Sequence, residues 1–396
     1  MPFAPIQHIG NMLDEREGLC VQGDWGHVSV LLGGGHICQL VSIKHPDINP
    51  LWQPQWRTID PERYSAEEHR EEYGPPPDGR LLSGIAGHSL SFDIFGPPSE
   101  EETEAGLSTH GEAPAVSWQM FQQYEANYPG VEYGARLPFA QIDFRRSLRI
   151  DKTHPVVYCQ ETARNLSPVD RPICWNEHVT MGPPFLECGT TIVDMPATQA
   201  RVSPSSYSEA MMLVPDACFE WPNAPMQDGQ THNLRTTPDG SYSRYTAQLI
   251  DRKANIGYVA ISNPRVGLLV LYVFRRSDFP WIGNWEERFS RTAAPWNGNT
   301  FCRGLEFSST PFAVPRRQTV SQGPLFNEAT YRWLPANSEI AVRFLALLVD
   351  IPPDFQGVDQ VSIESGNAII HEHQKQRIFS LPIDGSFLTG GFSDKP

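Results

Sequence analysis

Apolar and β-branched residues fall along this chain in short runs, most of them alternating with polar residues and closed off by Gly, Pro, Asn or Asp. Such runs occupy residues 28–32, 36–43, 90–95, 116–120, 156–164, 173–180, 245–250, 258–262, 267–274 and 340–351. Alternation sends every second side chain to one face, so each run predicts a strand. Helical spacing is confined to 61–72, with Asp60 placed to cap it, and to 284–290. Strands and helices do not alternate regularly, which excludes a doubly wound sheet, and no repeat of 20–50 residues is present. No Gly/Ser linker or compositional break divides the chain. The pattern therefore predicts one all-β domain over residues 1–396, a large antiparallel β-sandwich with two excursions, 53–80 and 96–114. The second excursion is an acidic Pro/Gly loop, and loops of that length inside a compact domain either carry function or lack fixed structure.

Composition narrows the function classes. The 36 prolines in 396 residues are nearly twice the usual ~5% and work against long helices. A net charge of −15 argues against nucleic acid as a partner, because a phosphate backbone calls for a basic footprint. Apolar stretches such as 266–274 are far shorter than the ~18 residues of a membrane span, so no membrane partner is expected. The N-terminal sequence has neither a basic n-region nor an apolar h-region, and the seven cysteines contain no C-x-x-C. Buried free thiols in a reducing compartment follow, with the cytoplasm as the expected location.

Chemistry must then come from scattered polar residues. Gly33-Gly34-Gly35 leads into a strand rather than a helix, so it is neither a P-loop nor a dinucleotide fingerprint. Neither G-x-S-x-G nor H-E-x-x-H occurs. His371-Glu372-His373 has chelating spacing on a strand but sits in a polar segment that also reads as a solvated face. Three segments embed polar groups in apolar or glycine-rich surroundings: 107–112 around His110, 173–180 around Asn176 and His178, and 301–308 around Glu306. Period-2 geometry puts Cys174, Asn176, His178 and Thr180 on one face and Trp175, Glu177 and Val179 on the other. Gly304 leaves room beside Glu306 for a ligand to approach. Each of these residues also reads as an ordinary hydrogen-bonded member of a sheet.

Taken in order, the segments resemble the aldose 1-epimerases, or galactose mutarotases. The resemblance rests on Gly34–Leu40 with Asn49–Trp52, on His110-Gly111, and on Ala163–Ser167 through Pro172 with Asn176-Glu177-His178. It continues through Pro280–Asn284, Gly304-Leu305-Glu306 and the strands of 333–351, and spans roughly residues 25–351. It implies a supersandwich with its site on one sheet face, a small-molecule carbohydrate as ligand, and no metal or cofactor. By the same resemblance Glu306 is the base and His178 the acid of ring opening, with His110 polarising the ring oxygen. Asn176, Asn284 and Trp281 join the sugar-binding set, and Trp285 is a stacking candidate. The family's arginine stretch is replaced by Gly84–His88, which makes His88 its substitute and Arg80 a poorer one. Asp239 and Asp228 are candidates for the substrate-binding aspartate. Two other readings stay open: a non-catalytic carbohydrate-binding or sensing module on the same scaffold, and a metal-dependent isomerase or lyase using His36, His88, His110 or the His371/His373 pair.

Overall fold

The computed structural model describes residues 5–204 and 212–392. Strand accounts for 47% of the chain and helix for 9%, and among the described residues the strands pair with one another antiparallel, so the all-β expectation holds. A 12-stranded sheet is ordered Ile6–Leu13, Arg16–Gly23, Gly26–Leu31, Ile37–Ser42, His88–Asp93, Arg171–Met181, Phe301–Ser308, Trp281–Arg288, Tyr242–Ile250, Ala197–Val202 and Cys218–Glu220, with Arg332–Leu334 paired to one end of Arg171–Met181. An eight-stranded sheet runs Ile192–Asp194, Ile256–Asn263, Leu268–Arg275, Glu339–Asp350, Val156–Asn165, Ile142–Ile150, Gly130–Leu137 and Gln119–Tyr124.

The two sheets share one core, in which Trp175, Val179, Leu305 and Phe307 of the first meet Phe144, Val270, Tyr272 and Phe344 of the second. The second sheet is covered on its other face as well. Leu269, Leu271, Val273, Leu345 and Leu347 pack there against Val361, Ala368 and Ile370 of a three-stranded sheet formed by Val358–Glu364, Asn367–Glu372 and Ile378–Pro382. A strand buried on both faces needs no polar alternation, and Leu268–Arg275 accordingly reads LLVLYVFR.

Two helix expectations change. Within 61–72 the chain forms a 3₁₀ turn, Pro61–Arg63, and then a helix, Ala66–Tyr73, whose cap is Ser65, accepting from the Glu67 amide, rather than Asp60. Residues 284–290 are not helical: Trp281–Arg288 is a sheet strand between Tyr242–Ile250 and Phe301–Ser308, and pairing on both sides overrides the local spacing. Short helices Asp78–Gly84 and Glu100–Glu104 order the two excursions, the second through a capping box on Ser99. Among the described residues no helix is long and apolar enough to cross a membrane, and no three His, Cys, Asp or Glu side chains gather into a metal-binding group.

Candidate active site

Alternation along Arg171–Met181 divides its side chains between two environments. Trp175 and Val179 enter the inter-sheet core, while Cys174 joins an apolar cluster on the opposite face, where His178 lines a cleft. The neighbouring strand Phe301–Ser308 is registered so that His178 stands opposite Glu306 and Thr180 opposite Gly304. Directly opposed residues bring their side chains together. His178 Nε2 lies 3.3 Å from Glu306 Oε1. Asn176 Nδ2 donates to Glu306 Oε2 at 3.2 Å, and His178 Nδ1 is 3.0 Å from Thr180 Oγ1. A Cβ on Gly304 would sit 3.0 Å from Glu306 Oε1, 3.2 Å from Trp285 and 3.4 Å from His178, so the absent side chain is what leaves the carboxyl approachable.

Burial sets the protonation of this pair. Glu306 is 1% and His178 5% exposed. Desolvation pushes the Glu306 carboxyl up to about 8, against a single lowering contribution, the hydrogen bond from Asn176. Desolvation, reinforced by the neighbouring His110, holds the His178 imidazole well below its ordinary 6.5. At neutral pH the pair therefore carries one proton, resting on Glu306, with His178 neutral. That is the reverse of a protonated imidazole beside an ionised base.

His110 arrives from the second excursion. Its backbone is left-handed (φ 68°), and Gly111 follows at φ 84°, where a Cβ would lie 2.1 Å from the Phe92 carbonyl oxygen. His110 Nδ1 is 2.5 Å from the Phe95 carbonyl oxygen, which makes Nδ1 the donor and leaves Nε2 free. The ring stacks on Phe95 and its centroid is 5.4 Å from that of His178. Desolvation lowers its pKa too.

A cleft of about 290 Å³ opens over Glu306, His178 and His110. Leu81, Leu82, Ile85, Phe95, Tyr245, Trp285 and Trp296 give it largely apolar walls, and its remaining polar side chains are Asp78, Thr109 and Arg291. Both excursions contribute to it, tied together by Thr109 Oγ1 donating to Asp78 Oδ1 at 2.5 Å and by Ser108 Oγ donating to the Pro77 carbonyl at 3.1 Å. Asp78, Tyr245, Arg291 and Trp296 were not singled out by sequence. Only the length of the excursions pointed toward Asp78, and nothing in the local pattern marks the others.

Several expected site residues lie elsewhere. His88 stands in register with Val179 and so shares its inward face. Its Nε2 is 2.8 Å from Glu177 Oε2, and Tyr272, Phe307 and Phe344 surround its ring in the core. It does not substitute for an arginine in the cleft. Arg80 borders a separate depression with Tyr64 and Ser65. Asn284 is also turned inward, opposite Leu305, where its Oδ1 accepts from Arg303 Nε at 2.9 Å. Trp281 is wholly buried, donating to the Ala329 carbonyl and facing Phe326, and is not part of the cleft lining. Asp239 is 88% exposed and pairs with Arg288, and Asp228 accepts from the Gln230 amide in an exposed turn. None of these five reaches the cleft, and neither does Asp228.

No family model matches the chain, and no curated protein does. Solved structures do. A candidate aldose 1-epimerase from Klebsiella pneumoniae superimposes with a TM-score of 0.61 at 11% identity, over 85% of this chain and 80% of that one. A galactose mutarotase-like protein from Clostridium acetobutylicum gives 0.56 at 11% identity, over 87% and 98%. A galactose mutarotase related enzyme from Lactobacillus acidophilus gives 0.52 at 12%, over 85% and 98%. The fold is thus the galactose mutarotase-like β-sandwich, as the resemblance implied.

Proposed function

We propose that the protein interconverts the two anomers of an aldose by ring opening and reclosure. The observation that carries this reading is the convergence of Glu306 and His178, 3.3 Å apart and holding one proton between them, on the floor of a cleft that His110 also lines. Ring opening needs a proton to leave the anomeric hydroxyl and another to reach the ring oxygen; reclosure on the other face of the aldehyde reverses both transfers. With the resting proton on Glu306, the carboxyl gives to the ring oxygen while the neutral His178 takes from the anomeric hydroxyl. The pair then holds its proton on His178, and closure runs with Glu306 as base and His178 as acid. The roles that the resemblance implied belong to this second half. Two proton transfers leave the pair's proton count unchanged, and nothing is oxidised or reduced. The free Nε2 of His110 is available to orient the sugar, and Trp285 and Trp296 supply aromatic surface for its apolar face.

Saturation-exchange NMR of anomer interconversion over a panel of aldoses, corrected for the spontaneous rate, tests the reading. Glu306→Gln keeps the shape of the side chain and removes the transferable proton, so the rate on the best sugar should fall at least ~10²-fold while the sugar still binds. An unchanged rate would show the assignment to be wrong. Binding of a sugar with no acceleration of any would replace this reading by that of a binding or sensing module.

A further inference from the structure

Among the residues that line the cleft, Arg291 is the one arginine or lysine, and it is held in place. It follows the strand Trp281–Arg288 in a turn organised by Glu287, whose side chain is wholly buried. Glu287 Oε1 accepts the amides of Ser290 and Arg291 at 2.8 and 3.0 Å, and its Oε2 lies 3.3 Å from Arg291 Nε. The guanidinium carbon is 4.8 Å from the ring centre of Trp296 and 5.5 Å from that of Trp285. Nε therefore faces Glu287 as an ion pair, without a hydrogen bond of its own, and the guanidinium packs on two indoles. The two terminal nitrogens have no hydrogen-bond partner among the described residues, and a quarter of the side chain remains exposed.

A guanidinium held this way presents its remaining donors as a fork, which matches a planar carboxylate through two parallel hydrogen bonds. Of the two carboxyl groups in the lining, Glu306 bears its proton at neutral pH and Asp78 accepts from Thr109, while Glu287 meets Arg291 from behind on its Nε edge. Arg291 also acts on the site electrostatically, being one of the charges that hold His110 below its ordinary pKa.

We propose that Arg291 binds the carboxylate of an acidic aldose, so that hexuronic acids are preferred over their neutral parent hexoses. The proposal rests on the anomerisation reading above for its reaction, but the binding group is a separate one. A single fork matches the planar carboxylate of a uronic acid; it also fits a phosphate, and the glucose 6-phosphate arm of the test separates the two.

The test is the anomer-exchange rate of the full chain with glucuronate, galacturonate, glucose, galactose and glucose 6-phosphate, together with calorimetric titration of the same ligands. A uronate should exceed its parent hexose in kcat/KM by at least ~10-fold, and Arg291→Gln should bring that ratio close to one. Arg291→Lys, which keeps the charge but not the fork, should retain part of the preference. A melting curve for each variant establishes that it is folded, and the ratio for the unmodified protein needs no variant. Acceleration of neutral hexoses with no preference for uronates, or a preference for the phosphate over both uronates, overturns the proposal and leaves the acid–base pair standing. Uronate binding that Arg291→Gln abolishes, without acceleration of any sugar, upholds the carboxylate site and removes the anomerisation reading. No binding of any of the five removes both.

Discussion

Behind the site strand lies a buried charge cluster whose disruption should be costly. Arg146 is wholly buried between the sheets, donating from Nε to Glu161 at 2.5 Å and from Nη1 to the Gly35 carbonyl at 2.7 Å and the Tyr133 hydroxyl at 3.1 Å, with Nη2 3.6 Å from Glu177. Trp175 Nε1 donates to both carboxyls, at 2.8 and 3.1 Å, and His88 meets Glu177. Two acids thus share one guanidinium, and burial raises the pKa of both, Glu161 well above its ordinary value with Glu177 adding to the shift. Arg146→Met keeps the volume and removes the cation. Stripping one partner from a buried pair costs about 3–5 kcal/mol, a large share of a total stability of order 5–15 kcal/mol. The sign of the pH dependence follows from the raised pKa values. A carboxyl that binds its proton more tightly in the folded chain loses stability as pH climbs from its unfolded value, near 4.3, through its folded one. Without the arginine both folded values rise further, so the deficit against the unmodified protein should be larger at pH 8 than at pH 5. Urea unfolding followed by tryptophan fluorescence at the two pH values measures it. A loss below about 1 kcal/mol at pH 8, or a deficit independent of pH, would refute the reasoning.

Other outcomes follow from the same structure. Gly304→Ala places a methyl group 3.0 Å from Glu306 Oε1 and 3.4 Å from His178, so anomerisation should slow by ~10-fold or more with little change in the melting temperature; steady-state rates and a thermal melt separate the two effects. All seven cysteines are unpaired, and titration of the denatured, unreduced protein should recover seven thiols, a count of three or fewer contradicting this.

Alternation made much of this fold legible. The faces of Arg171–Met181 follow from counting by two, which is why Asn176 and His178 fall together and Trp175 falls opposite, and the glycine beside Glu306 announced an open approach. Counting by two fails where both faces are buried. His88–Asp93 is buried at every position, so its pattern does not say which way His88 points; the register with Val179 does. Counting by two could not correct Asn284 either, which the resemblance puts in the sugar-binding set, because Trp281–Arg288 is buried at every position but Arg288. Asp78 and Arg291 enter the cleft from an excursion and a turn, and no periodicity governs where such segments fold back.

The central claim is that Glu306 and His178 act as a pair holding one proton, and the pH dependence of kcat/KM for anomer exchange addresses it directly. Below the depressed pKa of His178 the imidazole is protonated and the base is lost. Above about 8 Glu306 ionises and the acid is lost, so the profile should be a bell whose alkaline limb lies near that value in the free protein. Glu306→Gln should abolish the alkaline limb along with most of the rate. A rate that stays flat or rises through pH 8, or an alkaline limb that survives in Glu306→Gln, would contradict the account.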